Sequence, residues 1–253
     1  MEYSNLSTAP VIKVDRLALT YQSAEGETEA VTDVSFSVNE GEIVSMIGPS
    51  GCGKSTILSI ISGLLPPTDG SVTLRDGGRI GYMLQKDSLF PWRTIYKNIM
   101  LGGEITGGSC KECAEQLLKT YGLWEFRDSF PAQLSGGMRQ RAALIRTLAI
   151  QPSLLLLDEA FSALDYQTRL AVADDIYSII RREKKTALMV THDISEAIAM
   201  SDRVIVLTRR PAQIKSVYTV DFGQQRPTPL KCRDHPSFRD YFNRIWSDID
   251  VHV

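Results

Sequence analysis

Residues 11–21 alternate apolar and polar, with Val11, Ile12, Val14, Leu17 and Leu19 on the apolar side, as a half-buried strand does. Residues 25–29 read as a turn, and Val34-Ser35-Phe36-Ser37-Val38 as a second strand closing on Asn39-Glu40-Gly41. Together they predict an antiparallel flap ahead of the main domain. Ile43-Val44-Ser45-Met46-Ile47 is a buried-looking strand. Residues 57–65 are helical and stop at Pro66-Pro67-Thr68-Asp69-Gly70. Short strands follow at 71–74 and 80–84. Residues 94–149 read as helical, broken by Gly102-Gly103, Gly107-Gly108 and Pro131. After them strand and helix alternate: strand 154–157, helix 167–182, strand 187–191, helix 194–200, strand 204–207. That alternation predicts a parallel sheet with helices on both faces, and the helical block inserted into it reads as a separate lobe. From Pro211 onward the pattern turns polar, with the aromatics Phe238, Tyr241, Phe242 and Trp246; Phe238, one of Tyr241 and Phe242, and Trp246 fit the buried stripe of a packing helix.

The strand at 43–47 runs straight into Gly48-Pro49-Ser50-Gly51-Cys52-Gly53-Lys54-Ser55-Thr56. Glycines let successive N–H groups turn inward, and the following helix offers its positive end, which is a cradle for phosphate. The spacing G-x-x-x-x-G-K-[ST] predicts that Lys54 reaches the β- and γ-phosphates of a nucleoside triphosphate and that Ser55 binds Mg²⁺. A plain Gly-rich turn would need neither the lysine nor the hydroxyl.

Two further strands end in candidate chemistry. Leu154 to Leu157 are four consecutive leucines leading into Asp158-Glu159, as in a central strand whose C-terminal end faces the ligand crevice. Asp158 suits the Mg²⁺ shell, and Glu159 is placed to take a proton from an attacking water. His192 ends the apolar run Ala187-Leu188-Met189-Val190-Thr191, where an imidazole can hydrogen-bond the γ-phosphate or the water. Leu134-Ser135-Gly136-Gly137-Met138 precedes a long helical run, making a second helix N-terminus suited to an anion.

Composition narrows the setting. The 253 residues carry 28 basic and 30 acidic side chains, a net charge of −2, which argues against a general grip on nucleic acid. No apolar run approaches the roughly 20 residues that cross a bilayer, and Met1-Glu2-Tyr3-Ser4-Asn5 lacks the shape of a signal peptide. A cytoplasmic protein is expected. Four cysteines make no disulfide framework; Cys110 and Cys113 form a C-x-x-C pair without the further ligands a zinc site needs, and Cys52 reads as a small spacer.

With these motifs in this order the chain resembles the ATP-binding subunits of ATP-binding cassette (ABC) transporters, over residues 11–207. The resemblance implies a P-loop α/β fold with a mixed sheet, an N-terminal antiparallel β subdomain and an inserted helical subdomain. The ATPase domain would span 11–210, with the helical subdomain at about 94–150, and 211–253 would be a C-terminal extension. It implies that Tyr21 stacks on adenine and that Gln85 touches Mg²⁺ and senses a membrane partner. Ser135, Gly136 and Gly137 would cap the γ-phosphate held by a partner's phosphate loop, Asp165 would lie in a loop crossing the dimer interface, and His192 would be the switch histidine. Met138 stands where many members have glutamine, and Ala160 where many have proline. The implied activity is MgATP hydrolysis by a homodimer docked on integral membrane permease subunits at the cytoplasmic face, served indirectly by a solute-binding protein.

Phe90-Pro91-Trp92-Arg93-Thr94 and the tail beginning at Arg226-Pro227-Thr228-Pro229 resemble the nitrate, sulfonate and taurine importer class. ABC-type ATPases that act on DNA or ribosomes are the alternative. They usually carry coiled-coil insertions or two cassettes, for which this chain has neither the length nor the basic charge. A non-catalytic nucleotide-gated subunit is disfavoured by Glu159 and His192.

Overall fold

A computed structural model of the chain describes residues 10–24, 26–106, 111–223 and 226–249. Its strands form two sheets. The smaller is antiparallel, in the order β2-β1-β4, from β1 (Ile12–Ser23), β2 (Gly26–Val38) and β4 (Asp69–Leu74). Along β1 the apolar positions change phase between Val14 and Leu17, which in a regular strand would turn one pair outward. The pairing shifts register there, Arg16 takes a φ of 46°, and Ile12, Val14, Leu17 and Leu19 are all buried. The turn expected at 25–29 is shorter. β2 already pairs at Gly26, with Glu27 opposite Gln22 and Glu29 opposite Thr20, while Glu25 lies outside the described residues. This end of the ribbon is exposed on both faces, so its polar composition mimics a loop.

The larger sheet runs β5-β6-β7-β3-β8-β9, from β3 (Ile43–Ile47), β5 (Ile80–Met83), β6 (Leu154–Asp158), β7 (Thr186–Val190), β8 (Arg203–Leu207) and β9 (Ile214–Thr219). All pairings are parallel except β8 with β9. Both faces of the sheet are covered: Leu155 and Leu157 of β6 pack into one apolar cluster, Leu154 and Leu156 into another. This double burial is why β6 reads as an unbroken apolar run. The polar stretch after Pro211 hides β9. On this edge strand Ser216 faces inward and Val217 is half exposed, so hydrophobicity does not alternate with burial.

Helix α1 (Lys54–Ile61) starts and stops earlier than the expected 57–65; Gly63, at a φ of 77°, ends it, its N–H bonding to the Ile60 carbonyl. The helical block comprises α2 (Ile95–Thr106), α3 (Lys111–Thr120) and α4 (Gly136–Ala149). The break expected at Gly102-Gly103 is absent. A Cβ on Gly102 would lie 2.2 Å from Ile150, so this glycine lets two segments approach rather than ending a helix. Gly107, Gly108 and Cys110 lie outside the described residues. Pro131 does interrupt the helices, opening a short 3₁₀ turn that leads into α4.

On the same face of the larger sheet as the helical block lie α5 (Tyr166–Arg182) and α6 (Ile194–Met200), then α7 (Pro229–Cys232) and α8 (Pro236–Ile249), while α1 and the smaller sheet cover the opposite face. The buried stripe expected on α8 is corrected in one position. Ile245 is its fully buried residue, whereas Trp246 is 53% exposed and stacks on Phe242. The amphipathic face is rotated by one residue, because Ile245 and not Trp246 follows Phe238 and Tyr241 onto β8 and α6.

Candidate nucleotide site

The β3–α1 connection curls back on itself. Gly53 has a φ of 124°, and a Cβ there would lie 2.8 Å from the Ala30 carbonyl, so no other residue fits. Lys54 begins α1 and is 6% exposed, its Nζ donating to the Gly48 and Pro49 carbonyls at 2.8 and 2.9 Å. Burying an ammonium is costly unless it is hydrogen-bonded, and the loop carbonyls supply those bonds. Cys52 is buried beneath the loop. Above it opens a cleft of about 330 Å³ lined by Tyr21, Ser50, Gly51, Gly53, Lys54, Ser55, Thr56 and Glu159, together with Ala30 and Arg210. Tyr21 and Thr56 meet at 3.4 Å through their hydroxyls.

Beside the cleft, β6 delivers two carboxylates in different settings. Asp158 accepts from Ser55 Oγ and from the Tyr82 hydroxyl, each at 3.2 Å. Burial raises its pKa above the usual carboxylate range, against those two hydrogen bonds. A hydroxyl and a desolvated carboxylate side by side form the oxygen donor set that suits Mg²⁺, which completes its shell with water and phosphate. Among the described residues no cluster of three or more His, Cys, Asp or Glu offers an alternative metal site. Glu159 follows with a φ of 45°, a left-handed conformation uncommon outside glycine. Its Oε1 lies 3.4 Å from His192 Nδ1, and its Oε2 accepts from Gln85 Nε2 at 3.1 Å. Glu159, His192 and Gln85 therefore meet at one end of the cleft.

Ser135, Gly136, Gly137 and Asp165 do not join them. Ser135 caps α4, accepting from Met138 N at 3.3 Å, and Asp165 caps α5, accepting from Thr168 N at 3.1 Å. The four line a separate cavity, with Gly136 packed against Leu164 and Gly137 against Val172.

Several contacts around the site had no motif to reveal them. Tyr82 holds Asp158, and Ser162 shares the Gln85 amide at 3.2 Å. Arg139 and Arg146 of α4 bind the segment after Gln85: Arg139 pairs with Asp87 at 3.1 Å, and Arg146 donates to the Ser88 and Asp87 carbonyls at 2.6 and 2.9 Å. Arg210 sits in the cleft itself. Only the β-strand carrying Tyr82 and the helix carrying Arg139 and Arg146 were visible as patterns; their pairing is a matter of tertiary placement.

The ABC transporter family profile matches residues 31–162. The chain is 44% identical over 250 residues to an uncharacterized ABC transporter ATP-binding protein, YtlC, of Bacillus subtilis (strain 168), covering 94% of this chain and 95% of that protein. It is 36% identical to the nitrate import ATP-binding protein NrtD of Synechocystis, over 93% and 94% of the two chains. It is 39% identical to the taurine import ATP-binding protein TauB of Rhizobium johnstonii, over 84% and 85%. Among solved structures it superposes with a TM-score of 0.70 and 31% identity on a dimeric, post-hydrolysis ATP-binding cassette, MJ0796, bound to ADP and Pi. That match covers 83% of this chain and 99% of the other.

Proposed function

Because the chain belongs to the family of ABC transporter ATP-binding proteins, we propose that it binds and hydrolyses ATP to drive uptake of a small solute through a membrane permease. One observation carries the reading: the loop lysine, the Ser55–Asp158 pair and the Glu159–His192–Gln85 group converge on one cleft. In this reading Tyr21 stacks on the adenine, the Gly48–Thr56 loop wraps the phosphates and Lys54 turns from its carbonyls to the β- and γ-phosphates. Ser55 and Asp158, with Gln85 nearby, hold Mg²⁺, which when bound neutralises charge on the phosphates. Glu159 takes the proton from the attacking water, and His192 holds Glu159 and the water in line. Ser135, Gly136, Gly137 and Asp165 serve a second copy of the chain, closing over its γ-phosphate, so that two composite sites form in a homodimer.

In this reading the ATPase domain spans residues 11–210, with the helical subdomain at about 94–150 and 211–253 as a C-terminal extension; β9, which falls in that extension, pairs with β8 at the edge of the larger sheet. Among the described residues no helix is long and apolar enough to cross a membrane. The dimer would dock on permease subunits at the cytoplasmic face, fed indirectly by a solute-binding protein. Likeness to the nitrate and taurine proteins supports a solute of that class.

The test joins binding to assembly. Lys54→Ala should lose most of its MgATP affinity in calorimetry, and tagged wild-type chain extracted from membranes should bring down multi-spanning permease subunits. Undiminished affinity in Lys54→Ala, or recovery of ribosomes or DNA in place of a permease, would contradict the reading.

A further inference from the structure

The mouth of the cleft carries a cation that none of the nucleotide motifs accounts for. Arg210 lies in the connection between β8 and β9, which is stitched to β2 directly behind the phosphate loop. Ala212 N donates to the Ala30 carbonyl at 2.9 Å and Thr32 N to the Ala212 carbonyl at 3.0 Å, with Ala212 fully buried. Gly53 closes the same gap from the other side, since a Cβ there would lie 3.2 Å from Ala212 Cβ. The Arg210 connection, β2 and the phosphate loop are therefore one packed unit, and Arg210 is held at a fixed height over the cleft. Its Nε donates to the Glu29 carbonyl at 3.3 Å. That bond anchors the guanidinium through one of its five donors.

Charge around the cleft is divided in space. Of its lining residues, Lys54 and Arg210 are the cations and Glu159 the one carboxylate. Lys54 is buried under the loop, with Glu159 near it at the end where β6 stops. Arg210 is exposed at the mouth, in the wall shared with Tyr21 and Ala30. A triphosphate whose base meets Tyr21 and whose far end meets Lys54 would present its first phosphate to the Arg210 side. We propose that Arg210 is a nucleotide-binding residue whose guanidinium pairs with the α-phosphate. The assignment rests on the nucleotide reading of the cleft given above. A planar guanidinium matches a phosphate edge through two parallel donors, which a lysine cannot reproduce.

Calorimetry with MgADP and MgGDP on the wild type, Arg210→Ala, Arg210→Gln, Arg210→Lys and Lys54→Ala tests it, with melting temperatures alongside. Arg210→Ala and Arg210→Gln should each weaken both diphosphates by about tenfold, the low end for a charge-assisted bond at an exposed site. Arg210→Lys should retain part of the affinity, and the deficit should shrink as salt rises. Arg210→Gln keeps most of the side-chain length, so it reads the charge even where the alanine variant folds poorly. Wild-type affinity in Arg210→Gln beside a loss in Lys54→Ala overturns the Arg210 assignment alone. A loss confined to MgADP, with MgGDP unchanged, overturns it too by placing Arg210 on the base. No loss in Lys54→Ala overturns the phosphate-loop reading and this assignment with it.

Discussion

Glu159 combines the place proposed for the general base with an unfavourable backbone. Its left-handed φ of 45° is held by its N–H on the Val190 carbonyl at 2.9 Å and by Ser162, whose N–H and hydroxyl both donate to the Glu159 carbonyl. Such a conformation costs on the order of 1–3 kcal/mol and persists where the surroundings enforce it. Here it turns the carboxylate from the end of β6 toward His192 and Gln85. Glu159→Gln should therefore keep nucleotide affinity while turnover falls about 10²-fold or more, the scale for a lost general base. Steady-state ATPase beside calorimetry decides this, and near-wild-type turnover would remove Glu159 from the chemistry.

A second carboxyl, Glu196 of α6, is buried and pushed up to about 8 by its burial and by Asp193, against the Thr191 hydrogen bond, Arg169 and Arg233. Its folded pKa lies above the unfolded one, so the folded chain keeps a proton that the unfolded chain releases. The associated stability is present at low pH and is lost as pH rises through about 8. The neutral Glu196→Gln should gain melting temperature over the wild type between pH 5 and pH 9, and a gap that stays constant with pH would contradict it.

Between Gln85 and α2 the chain forms an element in its own right. Asn98, fully buried, accepts from Phe90 N at 2.7 Å and donates to the Phe90 carbonyl at 3.1 Å, while Arg139 and Arg146 fix Asp87 and Ser88 to α4. Leu89 is buried, Phe90 half-buried, and Trp92 is 72% exposed, tilted against Phe90 with ring centroids 5.0 Å apart. An exposed tryptophan on a pinned loop is the kind of anchor interfaces use. Trp92→Ala should cost about 1–3 kcal/mol of association with the permease, the hot-spot range, and leave the melting temperature of the isolated subunit unchanged. Phe90→Ala should lower both. Pull-down of the permease together with thermal melts checks the pair, and normal assembly by Trp92→Ala would place the docking surface elsewhere. The same segment shows what sequence could reveal at this scale. Its apolar residues and the motif glutamine are visible in the chain, but which of Leu89, Phe90 and Trp92 turns inward depends on Asn98 and α4, far from a local pattern. Strands buried on both faces, such as β6, were legible as apolar runs. The edge strand β9 was not, because water on one side lets Val217 face outward and Ser216 inward. Gly102 misled for a related reason, since a glycine that admits Ile150 looks the same in sequence as one that ends a helix.

At the scale of the molecule, the two halves proposed for the nucleotide site lie in two cavities that share no lining residue. The Lys54–Glu159 cleft and the Ser135–Asp165 cavity have different walls, so one copy cannot close both over the same nucleotide. Order along the chain made each half legible through its glycines and its capping residue. Their separation is a product of the sheet order, with α4 and α5 arriving from the helical block and from the strand beyond it, and no spacing rule contains that. A second copy of the chain is therefore expected to complete each site, and dimerisation should follow nucleotide occupancy. The most direct measurement is sedimentation of Glu159→Gln with and without MgATP, repeated with Ser135→Arg added. The expected result is a monomer without nucleotide, a dimer with MgATP, and a monomer that still binds MgATP once Ser135→Arg is present. A Glu159→Gln, Ser135→Arg protein that dimerises on MgATP as well as Glu159→Gln alone would contradict it.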